Sequence, residues 1–375
     1  MSEVLIRLDN IWKTYTPGEP AAVRNLYLEV MRGEVLVLVG PSGCGKSTTL
    51  RLINRLIEPT NGKIFLNDED VTSINASDLR RRIGYVIQQV GLFPHKTIAE
   101  NIATVPKLLG WKKDEIEARV DEMLELVSMD PATFKHRFPK ELSGGQAQRV
   151  GVARALAANP DVLLMDEPFG AIDPITRDKL QNEFLRLQQD LKKTIVFVTH
   201  DIDEAIKMGD RIAILRDGSE IAQIDTPENI LTDPADEFVE SFLGSGAILK
   251  GLTLKKVRDI ELQMVTTLKA PVLRDQALKT ISDNNDSFAL LLDAADQPLR
   301  WLDERALNRT NQPIEKSGRP IAVQLQPEDT LQDALSSMLQ SSVGMSVVVD
   351  RQGKYLGCCT IESLAKLLVH ESPAK

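Results

Sequence analysis

The segment GPSGCGKST at residues 40–48 contains the residue types that hold phosphate groups. Its glycines let the backbone curl so that N–H groups point inward at an anion. Lys46 is expected to reach the β- and γ-phosphates, and the Ser47 hydroxyl to ligate Mg²⁺. A glycine-rich turn in front of a core helix is the structural alternative. We predict a nucleotide site built from Gly40, Ser42, Gly43, Gly45, Lys46, Ser47 and Thr48.

Two further apolar runs end in side chains suited to phosphate chemistry. DVLLMDEP at 161–168 ends in Asp166, placed to support Mg²⁺, and in Glu167. Glu167 is placed to orient and deprotonate the water that attacks the γ-phosphate. TIVFVTH at 194–200 ends in His200, which can donate to the γ-phosphate. A structural histidine is the alternative, but two other phosphate-related strand ends favour a functional role for His200.

These side chains must be positioned by strands and a helix. EVLVLVG at 34–40 is an uninterrupted apolar run, typical of a strand buried on both faces. The residues that follow the glycine-rich segment, TTLRLI at 48–53, favour a helix. Open α/β sheets bind ligands outside the carboxyl ends of their strands. The sequence therefore predicts an α/β fold with its chemistry at strand ends.

Composition limits the remaining possibilities. The chain has 375 residues, room for two or three domains, and its net charge of −9 argues against extensive nucleic-acid binding. Its N-terminus lacks the regions of a secretory signal, and no run approaches the ~18 apolar residues of a membrane-spanning helix. The three cysteines form no disulfide framework, and adjacent Cys358 and Cys359 are expected to be buried strand residues.

Taken in this order, the segments resemble those of an ABC-type ATPase, whose signature is LSGGQ, here residues 142–146. The resemblance covers residues 1 to about 240. It implies a P-loop NTPase domain at 1–244, with a helical subdomain at about 90–150, that uses ATP and Mg²⁺.

The resemblance also implies roles for three other residues. Tyr15 matches the aromatic residue that stacks on adenine, although a tyrosine in a core strand is the alternative. Gln88 in GYVIQQ matches the glutamine that contacts the metal site and relays to the membrane partner, and the adjacent Gln89 is the alternative for that role. Asp173 in AIDP matches the loop that links two active sites.

The signature segment adds a second glycine pair about a hundred residues after the first glycine-rich segment. Ser143, Gly144, Gly145 and Gln146 are expected to open a helix, whose N-terminus attracts phosphate. A simple helix cap with a tight turn is the alternative. In the family, two subunits pack head to tail and each signature covers the γ-phosphate held by its partner. The resemblance therefore implies a homodimer with two equivalent sites.

Further features narrow the class of ABC protein. Only 54 positions separate Gln88 from Leu142 (142 minus 88), and this segment lacks the heptads of the long coiled coils in the DNA-repair class. The sequence also contains a single phosphate-loop segment. Segments 80–111 and 165–177 resemble ATPases of importers for glycine betaine, carnitine, choline and similar amines. The resemblance implies docking on an integral membrane permease at the cytoplasmic face of the plasma membrane, supplied by a separate solute-binding protein. The alternatives are an importer of another small solute and a soluble ABC ATPase acting on a cytosolic partner.

The segment from 252 to 375 contains an internal repeat. Ala277 pairs with Ala334, and FALLLD ending at Asp293 pairs with MSVVVD ending at Asp350, each at an offset of 57 (334 minus 277, 350 minus 293). A helix, strand, turn, strand and helix are expected twice, at about 252–309 and 315–370. The repeat resembles a smaller α+β tandem CBS domain with a regulatory role; a dimerisation or stability appendage is the alternative.

The repeat also predicts what the tail binds. CBS pairs that hold adenosine nucleotides usually contain a pattern like G-apolar-apolar-T-x-x-D after the second strand. The second copy has Gly357 and Thr360, but Ser363 stands where the acid is expected, and the first copy has neither glycine, hydroxyl nor acid. We therefore predict that the tail binds neither AMP nor ATP tightly.

Overall fold

The computed structural model describes residues 3–87, 91–170, 172–244, 246–284, 287–309, 313–341 and 343–370. The chain divides into two compact units, a first unit at residues 1–244 and a second unit at 245–375. No helix within these described ranges is long and apolar enough to cross a membrane.

The strands are β1 (Val4–Lys13), β2 (Val23–Met31), β3 (Val35–Val39), β4 (Asn61–Leu66), β5 (Glu69–Asp70), β6 (Ile83–Val86), β7 (Val162–Asp166), β8 (Thr194–Val198), β9 (Arg211–Arg216), β10 (Glu220–Asp225), β11 (Thr267–Lys269), β12 (Ala289–Leu292), β13 (Pro298–Leu302), β14 (Arg319–Pro320), β15 (Gln324–Leu325), β16 (Met345–Val349) and β17 (Tyr355–Thr360).

The helices are α1 (Lys46–Ile53), α2 (Ala76–Arg81), α3 (Ile98–Ile102), α4 (Thr104–Leu108), α5 (Lys113–Leu126), α6 (Pro131–Phe134), α7 (Gly144–Leu156), α8 (Pro174–Leu191), α9 (Ile202–Met208), α10 (Pro227–Thr232), α11 (Glu237–Leu243), α12 (Ala247–Gly251), α13 (Arg274–Asp283), α14 (Glu304–Arg309), α15 (Leu331–Gln340) and α16 (Ile361–His370). Short 3₁₀ turns lie at Pro139–Glu141, Val257–Asp259 and Ile314–Lys316.

A six-stranded sheet forms the centre of the first unit, in the order β10-β9-β3-β8-β7-β6. Strand β3 pairs in parallel with β8 and β9, and β7 pairs in parallel with β6 and β8. Every residue of β3, β7 and β8 is buried, as their continuous apolar sequences require. Because these strands are parallel, their carboxyl ends meet at one edge of the sheet.

An antiparallel sheet, β2-β1-β4-β5, packs with the central sheet through a common apolar core. Leu8 of β1, Leu36 of β3 and Leu50 of α1 are among the buried residues of that core. The helix that follows the glycine-rich segment is therefore fixed against both sheets.

Five helices, α3 to α7, lie between β6 and β7 in the chain. Thr97 begins α3 with a capping box to Glu100, and Asp130 caps α6 ahead of Pro131. In α5 the buried residues recur at helical spacing, at Ile116, Val120, Met123 and Leu124. The helical region that was expected at about 90–150 thus packs by ordinary amphipathic patterning.

The second unit contains matching elements at an offset of 57. Adding 57 to the bounds of Arg274–Asp283 gives those of Leu331–Gln340, and β12 and β13 likewise fall on β16 and β17. A shared apolar core combines residues of both copies, including Leu290 and Trp301 with Val347 and Cys358. Cys358 and Cys359 are fully buried in β17, as the sequence predicted.

Candidate nucleotide-binding site

The glycine-rich segment forms a tight loop between β3 and α1. Gly45 has φ +111°, a backbone conformation that is strained for any residue with a side chain. A Cβ at this position would lie 2.1 Å from the Ser219 Oγ. A Cβ on Gly40 would lie 2.3 Å from the Leu215 carbonyl oxygen. The loop can pack this closely against the neighbouring backbone only because these positions lack side chains.

Lys46 lies inside this loop and is only 6% exposed. Its ammonium donates to the carbonyl oxygens of Gly40, at 2.7 Å, and Pro41, at 2.8 Å. These bonds hold the charge within the curve of the loop. An ammonium has three N–H donors, and among the described residues the third faces only the Cys44 Sγ, at 3.7 Å, so a donor is left for a phosphate oxygen.

Ser47 and Asp166, both predicted to support the metal, are in direct contact. The Ser47 hydroxyl donates to Asp166 Oδ1 at 2.8 Å, although 119 positions separate them in the chain. Burial raises the pKa of Asp166, and the hydrogen bond from Ser47 opposes that shift. A hydroxyl and a carboxylate are oxygen donors of the kind that Mg²⁺ prefers, so the pair fits that cation.

Glu167 and His200 also meet. His200 Nδ1 lies 3.2 Å from Glu167 Oε1. Glu167 takes the left-handed conformation at φ +45°, sparsely populated by such residues, and its N–H donates to the Val198 carbonyl at 2.9 Å. The backbone therefore turns sharply as β7 ends and is tied to β8, the strand that leads to His200.

Tyr15 lies two residues beyond the end of β1 and is 56% exposed. Its hydroxyl is 3.3 Å from the Thr48 Oγ1, at the first turn of α1. This position rules out the core-strand alternative. It places the ring beside the glycine-rich loop, where stacking on a base stays a prediction.

The signature segment begins α7, as expected. The Ser143 Oγ accepts from the Gln146 N–H at 3.3 Å, and Gln146 Oε1 accepts from the Ser143 N–H at 3.0 Å. This capping box does not use the N–H groups of Gly144 and Gly145. A helix N-terminus therefore presents two further backbone donors at the glycine pair.

The loop with Asp173 packs beside this helix end. Asp173 caps α8 by accepting from the Thr176 N–H at 3.1 Å, and a Cβ on Gly145 would lie 3.0 Å from the Thr176 Cγ2. The fold thus brings the signature segment beside the loop that the resemblance assigns to linking two active sites. Gln88 and Gln89 lie outside the described residues, but Arg154 of α7 donates to the carbonyl of Gly91, just after them, at 2.8 Å.

One supporting residue was not predicted. Ser219, in the turn between β9 and β10, is fully buried, and its N–H donates to the Cys44 carbonyl at 2.7 Å. Its hydroxyl lies 3.1 Å from the Thr49 Oγ1. Because 175 positions separate Cys44 from Ser219, no local spacing in the sequence indicates this contact.

Comparison with known proteins identifies the family. Residues 23–170 match the family described as ABC transporter. The osmoprotectant import ATP-binding protein OsmV of Salmonella typhimurium is 45% identical over 368 residues, which cover 97% of this chain and 96% of that one. This chain belongs to the ATP-binding proteins of ABC osmoprotectant importers. The glycine betaine/carnitine/choline transport ATP-binding protein OpuCA of Bacillus subtilis is 43% identical, with coverage of 97% and 96%.

Solved structures of ABC cassettes match the chain in part. The bacterial ABC transporter cassette MJ0796, solved as a dimer, is 38% identical with a TM-score of 0.53, covering 59% of this chain and 98% of that one. A dimeric post-hydrolysis state of MJ0796, bound to ADP and Pi, is 37% identical with a TM-score of 0.53 and the same coverage. The predicted P-loop ABC ATPase fold is confirmed, as are ATP hydrolysis and the use of ATP and Mg²⁺.

Proposed function

We propose that this chain hydrolyses ATP to drive the import of quaternary-amine osmoprotectants such as glycine betaine. Two contacts at the carboxyl ends of the adjacent parallel strands β7 and β8 carry the ATPase part: Asp166 with Ser47 of α1, and Glu167 with His200. The solute class is supported by relatives whose names specify glycine betaine, carnitine and choline transport.

The residues at the strand ends divide the chemistry between them. Ser47 and Asp166, with Gln88 as a third predicted ligand, would hold Mg²⁺, which when bound supplies positive charge to the phosphate oxygens. Glu167 orients the attacking water and accepts its proton. His200 donates to the γ-phosphate, and its contact with Glu167 fixes the two side chains relative to each other.

The second glycine pair serves the nucleotide of a partner in a head-to-tail homodimer. The N–H groups of Gly144 and Gly145, left out of the capping box, are suited to a γ-phosphate held by the other subunit, and Ser143 and Gln146 fix the helix end that presents them. Asp173 would contact the same nucleotide. The dimeric relative MJ0796 supports such an assembly.

A groove in the helical region is the proposed docking site for a permease. It has a volume of about 550 Å³ and lies among α3, α4, α5 and the segment that follows α6. Trp111 and Val120 line it together with carboxylates and lysines, including Glu117 and Lys107. An apolar floor with mixed charges suits one polar helix of an integral membrane protein. The chain would then lie at the cytoplasmic face of the membrane, with a solute-binding protein acting only through the permease.

The second unit is the proposed regulatory domain of CBS type. A cavity of about 740 Å³ lies beside the start of α16, next to Thr360 and Ser363. Among the residues that the structure describes, its lining includes the carboxylates of Asp259, Glu261 and Glu362 and one cation, Lys366. An excess of negative charge disfavours phosphate, which supports the prediction that adenosine nucleotides bind weakly there.

Replacement of Glu167 tests the catalytic assignment. Glu167→Gln removes the proton acceptor but leaves the loop that holds phosphate, so ATP binding should persist while turnover falls at least ~10²-fold. ATP-dependent dimers should accumulate and can be measured by size-exclusion chromatography. Glu220→Gln, at an exposed position of β10, is the matched control. Near-normal turnover of Glu167→Gln would remove Glu167 from the role of general base.

A further inference from the structure

Helices α8 and α9 follow the two loops that carry the catalytic candidates. Side-chain contacts between these helices pair Arg177 with Asp201, Asp178 with Lys207, and Gln181 with Glu204. The last two join helix to helix. Arg177 differs, because it also contacts the loop between Glu167 and Asp173.

The Arg177 guanidinium lies between that loop and the turn after His200. Its Nη2 donates to the carbonyl oxygen of Ile172 at 3.0 Å, and its Nη1 lies 3.9 Å from Asp201 Oδ2. Ile172 directly precedes Asp173, and Asp201 directly follows His200. One planar side chain therefore contacts both loops at positions adjacent to residues of the site.

The Arg177 side chain and its contacts with Ile172 and Asp201 are here called the bridge, and other hydrogen bonds fix each of the two segments that it joins. Asp201 caps α9 by accepting from the N–H groups of Asp203, at 2.9 Å, and Glu204, at 3.3 Å. On the other side, the N–H of Ile172 donates to the Phe169 carbonyl at 3.2 Å, and the Phe169 ring is buried with its centroid 5.9 Å from that of Phe197 in β8. The bridge thus joins two anchored segments.

We propose that Arg177 is a positioning residue for ATP hydrolysis. It holds the Ile172–Asp173 segment against the turn that carries His200, so that contact of Asp173 with a partner subunit is coupled to the alignment of His200 with Glu167. This inference rests on the proposed function. An arginine is suited to the role because its rigid, planar guanidinium hydrogen-bonds the Ile172 carbonyl with one nitrogen while another faces the Asp201 carboxylate, whereas a lysine ammonium is a point charge on a flexible stem.

The bridge should matter more for rate than for stability. The Arg177 and Asp201 side chains are 30% and 39% exposed, and ion pairs of this exposure contribute little to folding. Small displacements of catalytic groups, in contrast, are costly in turnover.

The test compares Arg177→Gln with Asp178→Asn in the full chain. Arg177→Gln should lower kcat about tenfold while KM for ATP changes less than about twofold, because the phosphate loop is untouched. Asp178→Asn removes the charge that faces Lys207, at 2.6 Å, between the same helices but leaves the loops alone. Its kcat should stay within about twofold of the wild type.

Two more variants keep the test decisive. Arg177→Lys should recover part of the lost kcat, because it restores a donor to one acceptor. Asp201→Asn keeps an effective helix cap but removes the charge that faces Arg177, so its kcat should fall between those of the wild type and Arg177→Gln. If Arg177→Gln does not fold, the Asp201→Asn rate decides.

The positioning role is overturned by an unchanged kcat in Arg177→Gln, by a loss no larger than that of Asp178→Asn, or by a rise in KM that accounts for the loss. Glu167→Gln, assayed in parallel, separates this failure from that of the proposed function. Near-normal turnover in Glu167→Gln contradicts the catalytic assignment, whatever the Arg177 variants do.

Discussion

Glu204 is a buried carboxyl group in the first turn of α9. It is 7% exposed, and its Oε1 accepts from the Gln181 Nε2 at 3.0 Å. Burial raises the pKa of Glu204 above its ordinary value, and hydrogen bonds from Thr199 and Gln181 oppose the shift. The group therefore links pH to the stability of the helices that carry Arg177 and Asp201.

The direction of this linkage follows from the raised pKa. As pH rises, the unfolded chain loses this proton at a lower pH than the folded chain does. The contribution of Glu204 to the free energy of unfolding is therefore complete below the ordinary carboxyl pKa and is lost as pH rises through the raised pKa of the folded state. Glu204→Gln keeps an oxygen for Gln181 and cannot ionise. We expect the free energy of unfolding of Glu204→Gln, measured by urea denaturation, to increase relative to that of the wild type as pH rises above about 4.3, the ordinary pKa of a glutamate. A constant difference between the two proteins above this pH would contradict the assignment, and exposed Glu240→Gln is the control.

Residues differ in how far the sequence could predict them. Asp166, Glu167 and His200 lie at or just after the ends of buried strands, and Ser47 follows the glycine-rich loop after β3, so residue type and position were enough to group them. Ser219 and Arg177 act through contacts with backbone carbonyls of distant or neighbouring loops. Such contacts depend on the folded path of the chain, which no spacing of residue types indicates.

At the scale of elements, the buried parallel strands were the most predictable. Every position of β3, β7 and β8 is apolar except Asp166, which ends β7, and Thr194, which begins β8, because both faces are covered. Strand β1 is different. Its pairing with β2 shifts register between Leu8 and Ile11, near Asn10 at φ +51°, so the burial of its residues does not alternate regularly. Strand β1 therefore lacked the period-two pattern that identifies a half-buried strand, whereas Leu26, Leu28 and Val30 of β2 follow it.

The start of α7 offers a test of the head-to-tail dimer. Space is open where a Cβ would be added to Gly144, and an acid in the first turn suits a helix, so Gly144→Asp should fold. Its charge should repel a γ-phosphate held by a partner. Mixed with Lys46→Ala, it should recover ATPase activity, because one composite site in the mixed dimer carries both changes and the other carries neither.

The measurement is ATPase activity of each variant alone and of the mixture, with mixed dimers verified by differently tagged subunits. Gly144→Ala adds a methyl group without charge and should retain activity. An absence of rescue in verified mixed dimers would count against two sites built from both subunits.

At the scale of the whole molecule, the second unit is a duplication whose copies depend on each other. Residues of both copies form one apolar core, so neither copy alone can cover Trp301 or Tyr355. The offset of 57 made the order of elements predictable, because equal spacing repeats the same helix, strand and turn. It could not show the distribution of charge around the cavity at α16, which combines Asp259 and Glu261 with residues a hundred positions later.

That charge distribution leads to a prediction for adenosine nucleotides. The Thr360 Oγ1 already accepts from the Ser363 N–H at 3.2 Å and lies 3.0 Å from the Ser363 Oγ, where CBS nucleotide sites carry an acid for the ribose. Losing a hydrogen bond to a charged group costs ~1.5–3 kcal/mol. We expect AMP to leave the thermal unfolding of full-length Lys46→Ala unchanged, since that variant weakens the ATP site. A ligand at about 100 times its dissociation constant would stabilise by ~2.7 kcal/mol, an easily measured shift. Clear stabilisation by micromolar AMP would make the second unit an adenylate sensor, and loss of that shift in Thr360→Val would locate the site beside α16.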